Sequence, residues 1–462
     1  SMYPSAIMTL NISPEMKIGK INGWNAEEFM KGAEKTYTIE VGKSTKTYSN
    51  TELKNMFDDN NISISSNGIM YRNDKKGLIP ALLERWFNER VEFKRLMKKH
   101  GNAGETAKYE YFHKRQLVTK ILLNSMYGVL GSPIFRFYDI DNAEATTLTG
   151  QTLIKFTEKI ANHYYNTELN DKKDYCIYTD TDSVFYPATP LVKNRYPDAD
   201  ITDDTFMTEQ ILLVAKEVED YINKSYDHFA LKFLNVKKGH RFDIKQECIA
   251  KAGFWVTKKR YGQWIINENG VVCDRLDVKG LDIVRSNFPP AMRDLMKGVL
   301  QDILSHKDKQ IIDDQILEFK DEMKEMDLTE IALPTGVKQL KKFITKGRSD
   351  STFTRMNKGT PVHVKSAIIY NDLLTYFNEK GSGPIGNGEK IKWVYLKDNP
   401  LKCVSAGFKG YDDPQKVMEF IHRYVDYDKL FERALKKKIN MFYEALNWEF
   451  PVKEENTLTR FF

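Results

Sequence analysis

Two aspartates one residue apart, Asp180 and Asp182, are the side chains of this sequence best suited to binding a metal ion. They stand between two short apolar stretches, 175–177 and 184–186, which predicts a strand, a tight turn and a second strand with the acids at the tip. Carboxylates so close repel each other unless a cation lies between them, and Mg²⁺ prefers carboxylate and phosphate oxygens. An ordinary polar hairpin turn is the alternative, because Asp and Thr are common turn residues.

Basic side chains recur at helical spacing on two predicted helices. We expect these helices over residues 81–99 and 105–127, joined by a Gly-rich loop. Polar residues that share a helix face are Arg90 and Lys94 on the first helix, and Lys120, Asn124 and Tyr127 on the second. Taken alone, such a face could simply be solvated.

The overall composition excludes some classes of protein and leaves nucleic-acid binding open. The chain has 462 residues, 41% of them hydrophobic, and a net charge of +6, which fits a folded protein able to bind a polyanion. Its four cysteines lie far apart without a Cys-x-x-Cys motif, which argues against a zinc ribbon or a disulfide framework and fits a reducing compartment. No stretch approaches ~18 uninterrupted apolar residues, so no membrane span is predicted.

Three stretches resemble, in chain order, motifs A, B and C of the B-family DNA polymerases. These are residues 1–5 (Ser-Met-Tyr-Pro-Ser, the second half of motif A, with Met where Leu is usual), residues 120–128 (Lys-Ile-Leu-Leu-Asn-Ser-Met-Tyr-Gly) and residues 178–183 (Tyr-Thr-Asp-Thr-Asp-Ser). Residues 258–261 and 278–285 are similar to the family's primer-strand contact and palm-to-thumb junction. Residues 363–371 and 388–396 look like thumb segments of T-even-type phage replicases.

The resemblance implies how the nucleotide would be bound. Ser1 and Met2 would cradle its phosphates, and the Tyr3 ring would exclude ribonucleotides by occupying the place of a ribose 2′-OH. The basic residues Arg90, Lys94 and Lys120 would meet in one cleft, bind the β and γ phosphates, and neutralise charge on the leaving pyrophosphate. Asn124 and Tyr127 would line the nascent base pair.

The resemblance also implies metal-binding, DNA-binding and clamp-binding residues. Asp180 and Asp182, with Glu247 on a predicted strand as an extra carboxylate, would hold metal ions. Residues implied to contact DNA without reading its sequence are Gly128, Lys258, Lys259, Arg260, Tyr261, Lys279, Gly280 and Arg285. The terminal Leu458, Phe461 and Phe462 are similar to tails that dock into a sliding clamp, although an aromatic pair that tucks back is the alternative.

One residue of motif A lies outside this sequence. In the family an aspartate of this motif holds both metal ions, and its place would be three residues before Ser1. Two-metal phosphoryl transfer needs carboxylates that fix ions about 3.5–4 Å apart, and motif C supplies only part of that set. We therefore expect a second polypeptide to supply it, through a gene break or an intein junction, with truncation of a cloned fragment as the alternative. The same N-terminal partner would carry the 3′→5′ exonuclease.

The implied fold is α+β, with the right-hand architecture of polymerases: an antiparallel-sheet palm, two-helix fingers and a mostly helical thumb. We predict a palm over 1–77, fingers over 78–128, the rest of the palm over 129–280, and a thumb with the clamp-binding tail over 281–462. Local patterns further predict an irregular insertion over 16–68 and an aromatic strand over 134–138. Helices are expected over 143–165 and 204–233.

The predicted reaction is attack of a primer 3′-OH on the α-phosphate of a dNTP, with two Mg²⁺ ions, for which Mn²⁺ could substitute. The expected partners are primer-template DNA, dNTPs, the N-terminal polymerase and exonuclease chain and a sliding clamp, in the cytoplasm of an infected bacterial host. A non-catalytic subunit that binds DNA and the clamp is the alternative, although such a scaffold would not need Asp182, Lys120 or Tyr3. An RNA polymerase or reverse transcriptase is disfavoured by Asp-Thr-Asp-Ser and by Tyr3.

Overall fold

The computed structural model describes residues 2–32, 35–42, 44–345, 353–379 and 381–452. The chain divides into two compact units, Ser1–Glu247 and Cys248–Phe462. The predicted boundary between palm and thumb, at Gly280, falls inside the second unit and stays a prediction. Within the described ranges, no helix has both the length and the apolar composition that a membrane crossing needs.

A five-stranded antiparallel sheet with strand order β3-β2-β1-β5-β4 forms the early part of the first unit. Its strands are β1 (Lys17–Ile21), β2 (Thr36–Val41), β3 (Ser44–Ser49), β4 (Ile62–Ile64) and β5 (Ile69–Arg72). The expectation of an irregular insertion over 16–68 is therefore wrong. The sequence signal is weak because the strands are short and polar: in β3, Tyr48 is the one large apolar side chain.

Long helices make up most of the rest of the first unit. Its described α-helices are α1 (Met2–Leu10), α2 (Ala26–Met30), α3 (Asn50–Asp59), α4 (Leu78–Asn102), α5 (Thr106–Leu130), α6 (Ile140–Leu169), α7 (Thr189–Arg195) and α8 (Asp204–Leu234). The pair α4 and α5 confirms the two predicted basic helices and extends each by a few residues. The pair is an antiparallel hairpin, in which the rings of Phe93 and Phe112 stack 6.3 Å apart and the Arg115 guanidinium lies 5.0 Å from the Phe93 ring.

Helix α6 connects the parts of the first unit that carry the candidate site. Together with α8 it confirms the helices predicted over 143–165 and 204–233, and Thr157 Oγ1 of α6 lies 2.8 Å from the Tyr226 hydroxyl of α8. The strand predicted over 134–138 is wrong, because the Phe135 and Tyr138 N–H groups bond to carbonyl oxygens three residues back, which closes successive turns. The predicted acidic hairpin is confirmed, as β6 (Tyr178–Asp180) and β7 (Ser183–Phe185).

The second unit combines two antiparallel sheets with helices. One sheet, in the order β10-β9-β8, consists of β8 (Cys248–Thr257), β9 (Arg260–Glu268) and β10 (Val271–Lys279). The other consists of β11 (Leu333–Gly336), β12 (Lys390–Tyr395) and β13 (Ser405–Phe408). The described α-helices are α9 (Pro290–Leu304), α10 (Lys309–Glu322), α11 (Leu328–Ile331), α12 (Leu340–Phe343), α13 (Val362–Tyr376), α14 (Gln415–Tyr424), α15 (Tyr427–Leu430) and α16 (Lys437–Ala445).

The core of the second unit lies between these helices and sheets. Its fully buried aromatic side chains include Tyr370 of α13, Phe408 of β13 and Phe442 of α16. A π-helical segment, Phe431–Lys436, joins α15 to α16. Helices predominate after Gly280, as expected for this part of the chain, but the sheet of β11, β12 and β13 accompanies them.

Candidate active site

The turn between β6 and β7 places the two aspartates next to each other. Thr181 and Asp182 form the turn, and Thr181 has a φ of 52°, a left-handed conformation that is rare for a β-branched residue. This conformation lets the Asp182 N–H donate to the Asp180 carbonyl oxygen at 2.6 Å, and the Ser183 hydroxyl donates to the same oxygen at 3.1 Å. The strained turn is thus fixed by hydrogen bonds, as is common at functional sites.

Helix α6 anchors the hairpin through Glu158. The Thr179 hydroxyl donates to the Glu158 carboxylate at 3.1 Å, and the Tyr186 hydroxyl donates to the Glu158 carbonyl oxygen at 3.0 Å. Strand β6 and the residue that follows β7 therefore both contact one residue of a long, regular helix. Burial and the neighbouring Cys176 thiol raise the pKa of Tyr186, so its hydroxyl remains a hydrogen-bond donor at neutral pH.

The donor atoms at the tip fit Mg²⁺ in type, although they do not form a complete set of ligands. The Asp180 carboxylate accepts hydrogen bonds from the Tyr178 hydroxyl at 3.2 Å and the Thr181 hydroxyl at 2.9 Å. Asp182 is exposed, and its carboxylate has no hydrogen-bond or ion-pair partner among the described residues. In the same ranges no three His, Cys, Asp or Glu side chains group closely enough to hold a metal, so Glu247 does not join the two aspartates.

Motif A and motif B meet through two tyrosines of the first unit. The Tyr3 ring of α1 lies 4.6 Å from the Tyr127 ring of α5, with their planes tilted by 41°. Helix α1 also packs on α6 at Gly150, where an added Cβ would collide with the Met2 side chain. Since Glu158 lies eight residues further along α6, the α1 contact and the hairpin anchor are about 12 Å apart along one helix.

The buried residues of α5 determine which face of this helix, with the predicted nucleotide-binding residues, is left exposed. The buried residues of this helix are Gln116, Thr119, Leu123, Met126 and Leu130, which recur at helical spacing. Lys120 and Asn124 are exposed beside this stripe, and Tyr127 is half-buried. Gly128 is exposed with no atom near the position of a Cβ, so there is open space at its backbone.

Three basic side chains of the first unit lie close enough to Lys94 to repel its positive charge. Burial and the nearby charges of Arg90, Lys120 and Lys245 lower the pKa of Lys94, while the Glu247 carboxylate acts in the opposite direction. Burial also lowers the pKa of Arg90, whose Nε is buried without a hydrogen-bond partner in the described parts of the chain. We call Arg90, Lys94, Lys120 and Lys245 the basic cluster. The structure thus brings together the three basic residues that the sequence predicts in one cleft.

Glu247 lies in an extended segment that helix α8 holds in place, and the prediction that it is on a strand is wrong. The Ile244 N–H donates to the Asn223 side chain at 2.9 Å, and that side chain donates back to the Ile244 carbonyl oxygen at 2.9 Å. The Gln246 N–H donates to the Glu219 carboxylate, also at 2.9 Å. Side chains of α8 therefore take the place of a partner strand.

Lys245 is the member of the basic cluster that the sequence patterns did not single out. It stands two residues before Glu247 in this extended segment, so both side chains point to the same side. Both interact with Lys94. A basic residue at this spacing from a predicted site carboxylate is the signal that could have identified it.

In the second unit, the two predicted DNA-contacting segments lie side by side. Lys258 and Lys259 form the turn between β8 and β9, and Lys279 of β10 pairs with Tyr261 of β9. Gly280 has a φ of 66°, and an added Cβ would overlap the Lys259 carbonyl oxygen. Glycine is therefore required where the chain leaves β10 and touches the β8–β9 turn.

The side chains predicted to contact DNA differ in their surroundings. Lys258 and Lys259 are exposed, whereas Tyr261 is buried and its ring stacks on Trp255 with centroids 6.0 Å apart. Lys279 Nζ lies 3.1 Å from the Asp277 carboxylate. The remaining two have partners as well: Arg260 Nη1 lies 3.3 Å from Met441 Sδ, and Arg285 pairs with Asp282 at 3.5 Å.

Four predicted site residues lie outside the described residues. They are Ser1 of motif A, and Leu458, Phe461 and Phe462 of the C-terminal tail. Their predicted roles stay predictions.

A family model for DNA polymerase family B matches residues 1–445. Because the match covers nearly all of the 462 residues, this chain belongs to DNA polymerase family B. The membership confirms the family that motifs A, B and C indicate, and it agrees with a mixed helix and antiparallel-sheet fold.

Similarity to viral relatives extends along almost the whole chain. The DNA-directed DNA polymerase of Enterobacteria phage T4 is 22% identical, over 98% of this chain and 54% of its own length. The corresponding protein of Escherichia phage RB69 is 23% identical, over 98% and 53%. The DNA polymerase of Paramecium bursaria Chlorella virus NY2A is 27% identical, over 96% and 41%. The predicted likeness to T-even-type phage enzymes is confirmed, and the chain spans about half the length of these two phage relatives.

Proposed function

We propose that this chain carries the nucleotidyl-transfer centre of a template-directed DNA polymerase, and that it joins dNTPs to a primer 3′-OH. The observation that carries the proposal is the basic cluster. Three of its members, Arg90, Lys94 and Lys120, form no ion pair with any described residue, and burial lowers the pKa of Arg90 and of Lys94. A compact anion with several charges, such as a triphosphate, would relieve the repulsion among them.

Each motif then has a role at the bound nucleotide. Lys120 and Arg90 bind the β and γ phosphates and neutralise charge as pyrophosphate leaves. Tyr3, held against Tyr127, occupies the space that a 2′-OH would need, and Asn124 lies on the same helix face as Lys120 to line the base pair. The open backbone at Gly128 lets a base approach closely.

Asp180 and Asp182 would hold Mg²⁺ at the hairpin tip, and Mn²⁺ could substitute. When bound, the metal would lower the pKa of the primer hydroxyl and neutralise phosphate charge. Asp182 supplies an exposed carboxylate with unused acceptor positions, and Asp180 supplies oxygens already oriented by Tyr178 and Thr181. Glu247, beside Lys94, would serve as an outlying carboxylate that balances the basic cluster.

A further carboxylate, the motif A aspartate, completes this set of ligands. Two sources fit the proposal: residues that precede Ser1 in a longer polypeptide, or a separate N-terminal polymerase and exonuclease chain that makes this protein one half of a split enzyme. In both cases the 3′→5′ exonuclease lies with that segment. The site would then be complete only when the segment is present.

The remaining predictions extend this proposal to DNA and to assembly. Residues 1–77 and 129–280 would act as the palm, 78–128 as fingers and 281–462 as the thumb of a right-hand polymerase. The neighbouring Lys258–Tyr261 and Lys279–Arg285 segments would bind the primer backbone without reading sequence. The tail with Phe461 and Phe462 would dock on a sliding clamp, and the enzyme would act in the cytoplasm of an infected bacterial host.

Primer extension with Mg²⁺ tests the proposal. The chain is assayed alone, with the upstream segment fused to it, and with that segment added as a separate chain. We expect extension wherever the segment is present, and Asp182→Asn to reduce it by about 10³-fold or more, because removal of a metal ligand removes stabilisation at the reacting phosphate. The separate-chain arm shows whether a split enzyme can assemble.

A matched control is Asp198→Asn, which neutralises another exposed aspartate of the first unit. It should leave extension within about twofold of wild type, as for a surface substitution away from any partner. Extension by Asp182→Asn at the level of Asp198→Asn would overturn the assignment of the hairpin. DNA binding without extension in all arms, with both variants indistinguishable, would instead favour the non-catalytic alternative.

A further inference from the structure

The side chain of Asp282 is a buried carboxylate. It lies two residues after Gly280, whose backbone comes close to the β8–β9 turn. The side chain is 6% exposed and pairs with two cations: Arg285 Nη1 at 3.5 Å and Lys438 Nζ at 3.2 Å. Among the described residues, Asp282 is the only carboxylate paired with either of them. Burying a carboxylate is costly, and here the pairing with two bases offsets that cost.

The second cation comes from a distant part of the sequence, helix α16. Lys438 and Met441 lie three residues apart on one face of this helix. Met441 Sδ contacts Arg260 Nη1 at 3.3 Å, so the same face touches both the β8–β9 turn and the Asp282 turn. The next residue, Phe442, packs its ring edge-on against Phe254 of β8, with centroids 5.8 Å apart. Helix α16 is therefore docked firmly beside the predicted primer-binding segments.

The pairing leaves donor groups of both cations available. Arg285 is 44% exposed and Lys438 is 34% exposed, while the carboxylate between them is nearly inaccessible. A lysine ammonium has three N–H donors and a guanidinium has five, so one shared carboxylate cannot use them all. The group carries one net positive charge, and Asp282 fixes where that charge is presented.

We propose that Lys438 is part of the surface that binds the DNA backbone, and that Asp282 is a positioning residue that holds Lys438 and Arg285 in that surface. The ligand is the phosphate backbone of primer-template duplex, bound without sequence preference. This inference rests on the proposed function, since it assigns a third element, α16, to the same DNA surface. No sequence motif pointed to α16, because Lys438 reads as one member of an ordinary basic run at residues 436–438.

The first test measures binding of the full chain to a labelled primer-template as salt concentration is varied. Lys438→Gln should weaken binding about three- to tenfold, and should lower the slope of log K against log salt by about 1, because one phosphate contact is lost. The matched control is Lys320→Gln. Lys320 is 35% exposed and lies 3.2 Å from the Asp428 carboxylate, nearly the same exposure and ion-pair distance as Lys438. The control should keep the wild-type slope.

The second test uses the sign of a charge change. Asp282→Asn makes the protein more positive by one charge, so a purely electrostatic effect would tighten DNA binding. If Asp282 positions the two cations, binding should instead weaken, about threefold or more, and the loss should largely vanish when Lys438→Gln and Arg285→Gln are already present. Thermal unfolding of each variant checks that it is folded, and Lys438→Arg should retain most of the wild-type affinity.

The outcomes separate this inference from the proposed function. If the wild-type chain does not bind primer-template even at low salt, the proposed function itself fails. If wild type binds but Lys438→Gln matches Lys320→Gln in affinity and slope, then Lys438 is not in the DNA surface and the inference is overturned. If Asp282→Asn binds DNA more tightly than wild type, Asp282 has no positioning role.

Discussion

Two groups of basic residues, one in each unit, differ in how closely carboxylates accompany them. In the first unit, Arg90, Lys94 and Lys120 have no ion-pair partner among the described residues, and their mutual repulsion adds to the burial that lowers the pKa of Lys94. In the second unit, Arg285 and Lys438 share the buried carboxylate of Asp282. The first group of cations forms no ion pair among the described residues, and the second is held in place by an acid.

This difference matches two kinds of anionic ligand. A triphosphate concentrates several charges in a small volume, and its β and γ phosphates leave as pyrophosphate once the α-phosphate is bonded to the primer. A cluster that is repulsive when empty therefore gains most on binding the nucleotide and can also release pyrophosphate. A DNA backbone presents phosphates at regular spacing, and binding it needs side chains fixed at given positions more than it needs excess charge. We therefore expect ligand binding in the first unit to be most sensitive to removal of a positive charge. In the second unit it should be most sensitive to displacement of the side chains that contact DNA.

The largest effect should come from Lys120→Ala. In a preparation that carries out primer extension, kcat/KM for dNTP should fall about 10²-fold or more, because a group that stabilises charge in the transition state is removed. Thermal stability of the empty protein should not fall, since a repulsive contact with Lys94 disappears. The measurements are steady-state extension kinetics and thermal unfolding of the same preparation.

Lys114→Ala is the matched control for that experiment. Lys114 is exposed on the same helix, six residues from Lys120 and off its face, and has no ion-pair partner in the described ranges. It should leave kcat/KM within about twofold. In addition, inorganic triphosphate should raise the unfolding temperature of wild type and Lys114→Ala more than that of Lys120→Ala. Equal protection of all three would mean that the basic cluster does not bind triphosphate.

Geometry in the second unit can be disturbed at Gly280. Gly280→Ala should destabilise the protein by about 3 kcal/mol or more, because a side chain is disfavoured at positive φ and its Cβ would overlap the Lys259 carbonyl oxygen. Gly270→Ala is the control: its φ of 82° is also positive, but no atom lies within 4 Å of the added Cβ. Its cost should be about 1 kcal/mol. Urea unfolding of both variants measures the difference.

Ligand binding gives a second measurement on the variants Gly280→Ala and Gly270→Ala. At a temperature where Gly280→Ala is still folded, its affinity for primer-template should fall, because Gly280 lies beside the predicted DNA-binding residues of the second unit. Protection by triphosphate should be unchanged, because the basic cluster lies in the first unit. If Gly270→Ala and Gly280→Ala are equally destabilised, then the close approach to Lys259 is not what makes glycine necessary.

Sequence patterns predicted the fold best where apolar residues recur at one regular spacing. Helices α4, α5, α6 and α8 are long and regular, and the acidic hairpin is bounded by apolar residues, so each was found. The sheet over 17–72 was missed because its short polar strands, such as β3, have little alternation. The Ile134–Tyr138 stretch alternates between exposed and inward side chains, yet backbone hydrogen bonds close it into turns, which side-chain pattern alone does not reveal.

The candidate site was predictable to the extent that its residues lie in local motifs. Motif spacing predicts Asp182, Lys120 and Tyr3 as site residues, whereas Lys245 and Lys438 become candidates only through tertiary contacts. Lys245 reaches the basic cluster because side chains of α8 hold its segment extended, and Lys438 reaches Asp282 across more than 150 residues of sequence. Neither contact has a signature in the local sequence, because both depend on how elements pack.

The smallest predicted effect concerns the protonation of Lys94. Its pKa in the folded protein lies below the ordinary value of 10.5, so the unfolded chain binds the proton more tightly. As pH rises through the folded pKa towards 10.5, the folded state therefore loses a proton that the unfolded state keeps, and the free energy of unfolding should rise with pH relative to Lys94→Met. Burial is the largest cause of the lowered pKa, and the nearby charges add to it. We expect the contribution of the like-charge neighbour four residues away on the helix to be about 0.2–0.5 kcal/mol.

Urea unfolding of wild type and Lys94→Met across this pH range measures the gain, and Lys99→Met, on the same helix outside the basic cluster, controls for loss of a helical lysine. Saturating triphosphate should reverse the sign of the pH effect, because an anion favours the protonated amine and its binding weakens as the proton is lost. The same repulsion that costs stability in the empty protein would then become the source of affinity. A gain that persists unchanged with triphosphate would place Lys94 away from the anion and restrict the nucleotide site to Arg90 and Lys120.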